Sequence, residues 1–453
     1  MELTFLGGTG TVTGSKYLLQ TAGVSVLVDC GLFQGLKALR LRNWERLPVP
    51  PHSIDAVVLT HAHLDHSGYL PLLVRNGFKG VIHSTHATLD LCKLLLPDSG
   101  HLQEEQARYA NGHGFSRHKP ALPLYTVEDA QKALKHFRPV DYDQRCELGG
   151  GVSVRFLPAG HILGASIVLF EVAGRRVAFS GDLGRQADPV MRPPSVVADS
   201  DYLVVESTYG NRRHASLDPV RELAGHLKRA VERKGVVIIP AFAVGRAQTL
   251  LHLLARIKTQ GELEGVPIYL NSPMAIDATK IFHHYRAEHR LTQAECRAAC
   301  GVAEMVNTPE ESKALNLMGG PMIIVSASGM ATGGRVLHHL TAFAPDPRNM
   351  ILFTGFQAAG TRGAAMVGGA EAVKIHGKYV PVRAEVVNLE SLSAHADYTE
   401  ILAWLSTFAR APEHTFITHG EPAAADELRR RIGESLGWTC SVPDYLERVT
   451  LTP

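Results

Sequence analysis

The heptapeptide Thr60-His61-Ala62-His63-Leu64-Asp65-His66 constrains this chain more than any other stretch. It follows the apolar run Ala56–Leu59, so it is predicted to lie in a loop at the end of a buried strand. Four potential metal ligands fall within six residues, too dense for a surface helix and too polar for a core. With His and Asp each at about one residue in twenty, roughly 0.3% of chains of this length would match those four positions by chance. A merely solvated His-rich loop is therefore the weaker reading.

The rest of the first two hundred residues repeats that grammar of short apolar runs ending in polar loops. Val24–Asp29, Ala56–Thr60, Gly80–Ile82, Val152–Leu157, Val177–Ser180 and Leu203–Val205 read as buried strands, and Leu89–Leu96 and Val127–Phe137 as helices. Sheets flanked by helices are the economical assembly. From about Asp218 strands alternate with longer helices: Asp218–Arg233, Val236–Ile239, Gly245–Lys258, Pro267–Leu270, Met322–Ser326, Gly334–Phe343 and Met350–Thr354. That alternation predicts βαβ units and a parallel sheet. From Glu385 onward, strand Glu385–Val387, helix Tyr398–Phe408 and strand Thr415–Thr418 return to the pattern of the first part. The expected division is 1–208, an insert at 209–371, and a completing part at 372–453. Without a flexible linker, the two domains are expected to pack across a cleft.

One loop cannot fill two coordination spheres. A two-metal site needs further ligands, including a bridging carboxylate. His161 in Pro-Ala-Gly-His, Asp182 in Ser-Gly-Asp-Leu-Gly and His419 in Thr-His-Gly-Glu each follow a predicted strand. Any one alone is more often an ordinary loop residue; three together with the cluster are not. The donors are all N and O, which suits a catalytic metal pair better than a structural thiolate site.

On these residues the chain resembles the metallo-β-lactamase-fold hydrolases. Glu206 in Val-Glu-Ser-Thr-Tyr-Gly and His395 in Ser-Ala-His-Ala-Asp match two further motifs, which mark the β-CASP branch of nucleic-acid nucleases. Tyr209–Arg212, Pro240–Gln248, Ser272–Ala275 and Ser326–Gly334 are similar to that branch too. The resemblance covers nearly the whole chain and extends to the nuclease subunit of the cleavage and polyadenylation specificity factor and its prokaryotic relatives. It implies an α/β fold, an αββα sandwich with an inserted parallel-sheet β-CASP domain. Asn271 departs from the pattern, standing where many relatives carry Asp, and an arginine usually found slightly later is displaced to Arg362. The chain stops soon after the His419 motif, which argues against the subfamily with a long C-terminal extension.

The resemblance also implies roles. His61, His63 and His161 would hold one zinc and Asp65, His66 and His419 the other, with Asp182 bridging. Asp29 would accept a hydrogen bond from a ligand imidazole. Asp65, Glu206 and His395 are the catalytic candidates. Water acidified by the metal pair would attack phosphorus in line, with His395 as general acid oriented by Glu206, leaving a 3′-hydroxyl and a 5′-phosphate. The expected activity is cleavage of single-stranded RNA, internal and also 5′-to-3′. The alternatives are a small ester, thioester or lactam as substrate, DNA, or a non-catalytic RNA-binding scaffold. Two Zn2+ are the expected cofactors, and Mn2+ suits the same donors.

For the substrate, the loop Ser326–Gly334 is predicted to cradle phosphate at the start of a helix through Ser326, Ser328, Gly329, Thr332, Gly333 and Arg335. The same loop also reads as a tight turn needing positive φ. Arg212, Arg213, Arg246, Arg362, Lys374 and Lys378 are further candidates. The Gly-rich Gly7–Ser15 carries no nucleotide-loop signature and reads as a turn. The pairs His283-His284 and His338-His339 read as incidental. Lys+Arg number 46 against 44 Asp+Glu, a balance that neither supports nor excludes a polyanionic partner. The six cysteines are scattered and read as reduced thiols of a cytoplasmic protein. No secretory signal or membrane-spanning run is read, and a homodimer is the assembly to test.

Overall fold

The computed structural model describes every residue except Ala22, Phe115, Arg117, Ser216 and Pro453. The chain divides into two compact units, Met1–Arg213 with His395–Pro453, and His214–Ala394.

The first unit is built on two seven-stranded sheets. One runs in the order Arg448–Thr450, Glu2–Phe5, Tyr17–Gln20, Ser25–Val28, Ala56–Val58, Val81–Ser84, Phe137–Pro139. The other runs Cys440–Ser441, His414–Thr418, Tyr202–Glu206, Arg175–Phe179, Ser166–Val172, Val152–Pro158, Cys146–Gly149. Side chains alternate across a strand, and the sequence uses both faces. Leu3, Phe5, Leu19, Val26 and Val28 meet Val154, Phe156, Val168, Phe170, Val177 and Phe179 in one cluster between the sheets. The rings of Phe5 and Phe416, one from each sheet, lie 5.3 Å apart. Leu27, Val57 and Ile82 alternate to the other face yet are just as buried. A second covering layer is needed there, and helices Leu70–Arg75, His86–His113 and Val127–Leu134 of the same unit bury Leu70, Leu73, Leu91 and Ala130.

The strands that matter for the site share one polarity. Arg175–Phe179, Tyr202–Glu206 and His414–Thr418 are parallel. Val152–Pro158 joins the same direction through the antiparallel Ser166–Val172. Their C-terminal ends therefore reach one edge of the sandwich. In the facing sheet Ser25–Val28 and Ala56–Val58 are likewise parallel and end in Asp29 and the His61–His66 segment.

The second unit holds a six-stranded, all-parallel sheet: Glu304–Met305, Ile268–Asn271, Met322–Ser326, Val236–Pro240, Met350–Thr354, Glu385–Leu389. Both faces are covered, as parallel sheets require. Val237, Ile239, Ile323 and Val325 pack with Leu223, Leu227, Leu250 and Leu254 of helices Pro219–Glu232 and Arg246–Thr259. Val236, Ile238, Met322 and Ile324 pack with Val336, Leu337 and Leu340 on the other side.

Among the elements that differ from expectation, three have a plain physical reason. Glu385–Leu389 does not rejoin the first part of the chain; it pairs in parallel with Met350–Thr354. The helix from Val127 stops at Leu134, because Phe137–Pro139 is claimed as an edge strand beside Val81–Ser84. The helix after the Ser326–Gly334 loop begins only at Val336, since Gly334 takes φ +73°, outside helical space.

Candidate metal centre

Eleven side chains, from six strand ends, one short helix and the approach to another helix, meet at the edge of the sandwich. Thr60 and His61 follow Ala56–Val58, His63 precedes the helix Leu64–Ser67, and that helix carries Asp65 and His66. His161 follows Val152–Pro158, Asp182 follows Arg175–Phe179, Glu206 ends its strand, and His419 follows His414–Thr418. Asp29 follows Ser25–Val28, and His395 lies just before helix Tyr398–Leu405.

The donors sort into two groups joined by Asp182. In the first, the Nε2 atoms of His61 and His161 each lie 3.2 Å from His63 Nδ1 and 3.5 Å from Asp182 Oδ2. Ligands about 2.1 Å from a tetrahedral ion stand about 3.4 Å from one another. In the second, Asp182 Oδ1 lies 3.2 Å from His66 Nε2 and 3.5 Å from His419 Nε2, and Asp65 Oδ2 is 3.9 Å from His419 Nε2. One carboxylate thus turns an oxygen to each group.

These residues fit a pair of divalent cations. His66 Nε2 and Asp182 Oδ1 are buried and face each other at 3.2 Å with no other hydrogen-bond partner among the described residues; buried polar atoms short of partners are costly. Asp29, Asp65, Asp182 and Glu206 bring four carboxylates together, and their partners among the described residues are imidazoles and neutral donors, with no Arg or Lys ion pair. Burial and the neighbouring imidazoles hold His61 and His419 well below the usual histidine range, which keeps their lone pairs free. His66 goes the other way: burial disfavours its charge, but the carboxylates of Asp182 and Asp29 outweigh that. Burial raises Asp182, against the pull of His66. Cations binding here would compete with protons for these groups.

A second ring of contacts orients the donors. Asp29 Oδ2 lies 2.7 Å from His66 Nδ1, while its carboxylate also accepts from Thr60 N at 2.7 Å and Thr60 Oγ1 at 2.9 Å. Thr60 Oγ1 is 3.1 Å from His61 Nδ1. Ser15 Oγ is 2.8 Å from His419 Nδ1, and Ser15 N donates to Asp65 O. With Nδ1 engaged, Nε2 is the atom left for a metal. Sequence reasoning misses Ser15 and Thr60. Ser15 sits in the Gly-rich loop read as a plain turn, and its polar character is the only signal there.

Beside the two groups, His395 Nδ1 lies 3.1 Å from Glu206 Oε1 and 4.0 Å from Asp182 Oδ2. Glu206 is fixed by Leu183 N on Oε1 and Thr208 N on Oε2. Burial would lower His395, yet the charge and hydrogen bond of Glu206, with Asp182, raise it above the ordinary value. His395 is 18% exposed and Asp65 22%, so the centre opens to solvent on their side.

The residues expected to cradle phosphate lie in the second unit. Ser326 is fully buried and its hydroxyl donates to Asn271 O. Gly329 is buried where a Cβ would meet the Phe242 ring at 2.7 Å. Arg335 donates to Asn271 Oδ1, Val306 O and Asn307 O, and Arg362 to the carbonyls of Lys374, Ala331 and Thr332. Ser328 and Thr332 bond each other at 2.9 Å near the surface, and Gly333 is half-buried beside them. His339 is buried between Asn271 and Asn316. No cysteine forms a disulfide, and no described helix is long and apolar enough to cross a membrane.

A sandwich with paired donor groups along one edge defines a divalent-metal hydrolase of the metallo-β-lactamase fold. Family models described as "Metallo-beta-lactamase superfamily", "Beta-Casp domain" and "Zn-dependent metallo-hydrolase RNA specificity domain" match residues 9–229, 247–366 and 379–443. A protein named Ribonuclease TTHA0252 from Thermus thermophilus is 38% identical over 430 residues, covering 93% of each chain. An RNase J-like protein from Methanocaldococcus jannaschii is 31% identical, covering 92% of each chain. A Transcription termination factor FttA from Methanosarcina mazei is 30% identical, covering all of this chain and 72% of its own. A solved protein of unknown function from Enterococcus faecalis V583 shares the fold, with TM-score 0.55 over 99% of both chains at 13% identity. The chain belongs to the β-CASP family of metallo-β-lactamase-fold ribonucleases.

Proposed function

We propose that the protein cuts single-stranded RNA internally, with 5′-to-3′ trimming as a second mode, and leaves a 3′-hydroxyl and a 5′-phosphate. The observation that carries this is Asp182, whose two oxygens face two separate donor groups. His61, His63 and His161 would hold one Zn2+ and Asp65, His66 and His419 the other; the N/O donors also suit Mn2+. When bound, such a pair supplies an acidified water and neutralises charge on the phosphoryl group. The chain's own residues do the rest. His395, held protonated by Glu206, gives its proton to the departing 3′-oxygen. Glu206 is in turn held by two backbone N–H groups, so the imidazole is positioned before substrate arrives. Ser328, Thr332 and the backbone at Gly333 are the surface groups proposed to meet the RNA backbone.

Purified, metal-analysed protein is incubated with end-labelled RNA carrying a 5′-phosphate or a blocked 5′ end. Internal products from blocked RNA are expected. A ladder that requires a free 5′ end would mean trimming alone. His395→Ala is expected to keep its metal and lose turnover by about a hundredfold or more, whereas His66→Ala loses both. Full activity in His395→Ala would remove the general-acid role.

A further inference from the structure

The segment between Asp29 and the His61–His66 cluster carries a surface that the chemistry above does not use. Its short helix, Lys37–Arg42, has no buried residue. Leu36, Leu41 and Trp44 stand 49%, 51% and 58% exposed. Residues 37–46 hold four cations, Lys37, Arg40, Arg42 and Arg46, against the single carboxylate of Glu45, in a chain whose charges otherwise almost cancel. Lys37, Arg40 and Arg46 are exposed and join no ion pair among the described residues.

A loose loop would not keep such groups together, but this one is fastened. Asn43 is buried, donates Nδ2 to Phe33 O at 2.8 Å and accepts Phe33 N on Oδ1 at 2.9 Å, which closes the excursion at its base. The Arg42 guanidinium lies 4.1 Å over the Tyr445 ring and 5.5 Å from that of Phe33. Phe33 packs on Gly14, where a Cβ would meet its ring at 2.5 Å, and Gln34 N donates to Thr13 Oγ1. Thr13 and Gly14 precede Ser15, which touches His419. The platform therefore abuts the loop that borders the metal centre, within the same unit.

We propose that this platform is a second RNA subsite: Trp44 stacks a base of the strand beyond the scissile bond while Lys37, Arg40 and Arg46 meet its phosphates. Unpaired cations around one exposed indole match a single-stranded polyanion, which offers phosphates and unstacked bases together. The proposal rests on the ribonuclease reading and deepens it.

Steady-state cleavage of a ~20-nucleotide and a ~4-nucleotide RNA is compared for wild type, Trp44→Ala and the double variant Arg40→Gln/Arg46→Gln. All three side chains project into solvent, so folding is not at stake. On the long RNA, KM is expected to rise about tenfold with kcat unchanged. For the double variant the dependence of log KM on log salt is expected to flatten by roughly 0.7 for each phosphate no longer neutralised. On the short RNA nothing should change. Wild-type KM and salt slope on the long RNA would overturn the subsite, as would equal impairment on both lengths. A fall from dimer to monomer with KM untouched would assign the surface to a second copy of the chain instead. If the wild type cut neither RNA, the ribonuclease reading would be what failed. Quenching of indole fluorescence by RNA, abolished in Trp44→Phe, would then still decide the subsite, because Trp404 is buried and Trp438 packs on Phe408.

Discussion

At the scale of single residues, the centre depends on groups that never touch a metal. Ser15 shows this best. Its hydroxyl sets the ring of His419 and its N–H holds the carbonyl of Asp65, so one residue steadies two members of one donor group. Ser15→Ala is expected to lower divalent-cation affinity about tenfold with little change in the thermal midpoint. Competition with a chromophoric chelator reads this directly, and an unchanged affinity would reduce the hydroxyl to packing. Gly31 acts by being small: a Cβ there would lie 1.6 Å from Asp65 O, in the helix that carries Asp65 and His66. Residues of the first kind are not legible in the sequence. The His61–His66 cluster is legible because its four ligands are local, whereas Ser15 and His419 are 404 positions apart and only the fold joins them. Asp182, His161 and His419 fall between: each is a lone polar residue after a strand, and its meaning comes from the set and from the family resemblance.

At the scale of elements, periodicity locates most strands but not their partners. Glu385–Leu389 carries the same kind of apolar run as strands of the first unit, and nothing within it tells which sheet it joins; pairing with Met350–Thr354 decides that. Val336–Phe343 starts later than its apolar pattern predicts for a local reason, the left-handed Gly334. That helix also buries His339, whose Nε2 lies 2.6 Å from Asn271 Nδ2 and whose Nδ1 lies 2.6 Å from Asn316 Oδ1. Asn271 fits this role because an amide can donate to imidazole and Ser312 while accepting from Arg335. Burial, helped by His338 and Arg335, carries His339 down to about 4. The unfolded chain takes up that proton near pH 6.5 and the folded one only near 4. Stability is therefore whole above pH 6.5 and falls as pH drops towards 4, by about 3 kcal/mol from this residue. Urea unfolding of the full chain at about pH 7 and about pH 4.5 is expected to show a clearly smaller acid destabilisation in His339→Gln than in wild type. Equal destabilisation would mean that the imidazole does not resist its proton.

At the scale of the whole molecule, each unit solves a different problem. The first turns strand ends of two facing sheets into one edge and crowds four carboxylates and six imidazoles there. The second is a parallel sheet with helices on both faces, its arginines Arg335 and Arg362 largely committed to its own carbonyls. The alternating grammar makes the second unit's sheet legible, whereas arginine roles are not, because a cation's partners lie far away in sequence. The first unit's crowding is what a pair of cations would balance, and that is directly measurable. Protein stripped with chelator is titrated with zinc, while bound ions per chain and internal cuts in 5′-blocked RNA are followed together. Two ions per chain are expected, with cutting absent from the stripped protein and restored as they fill. Undiminished cutting after stripping, or no uptake of zinc at all, would contradict the account.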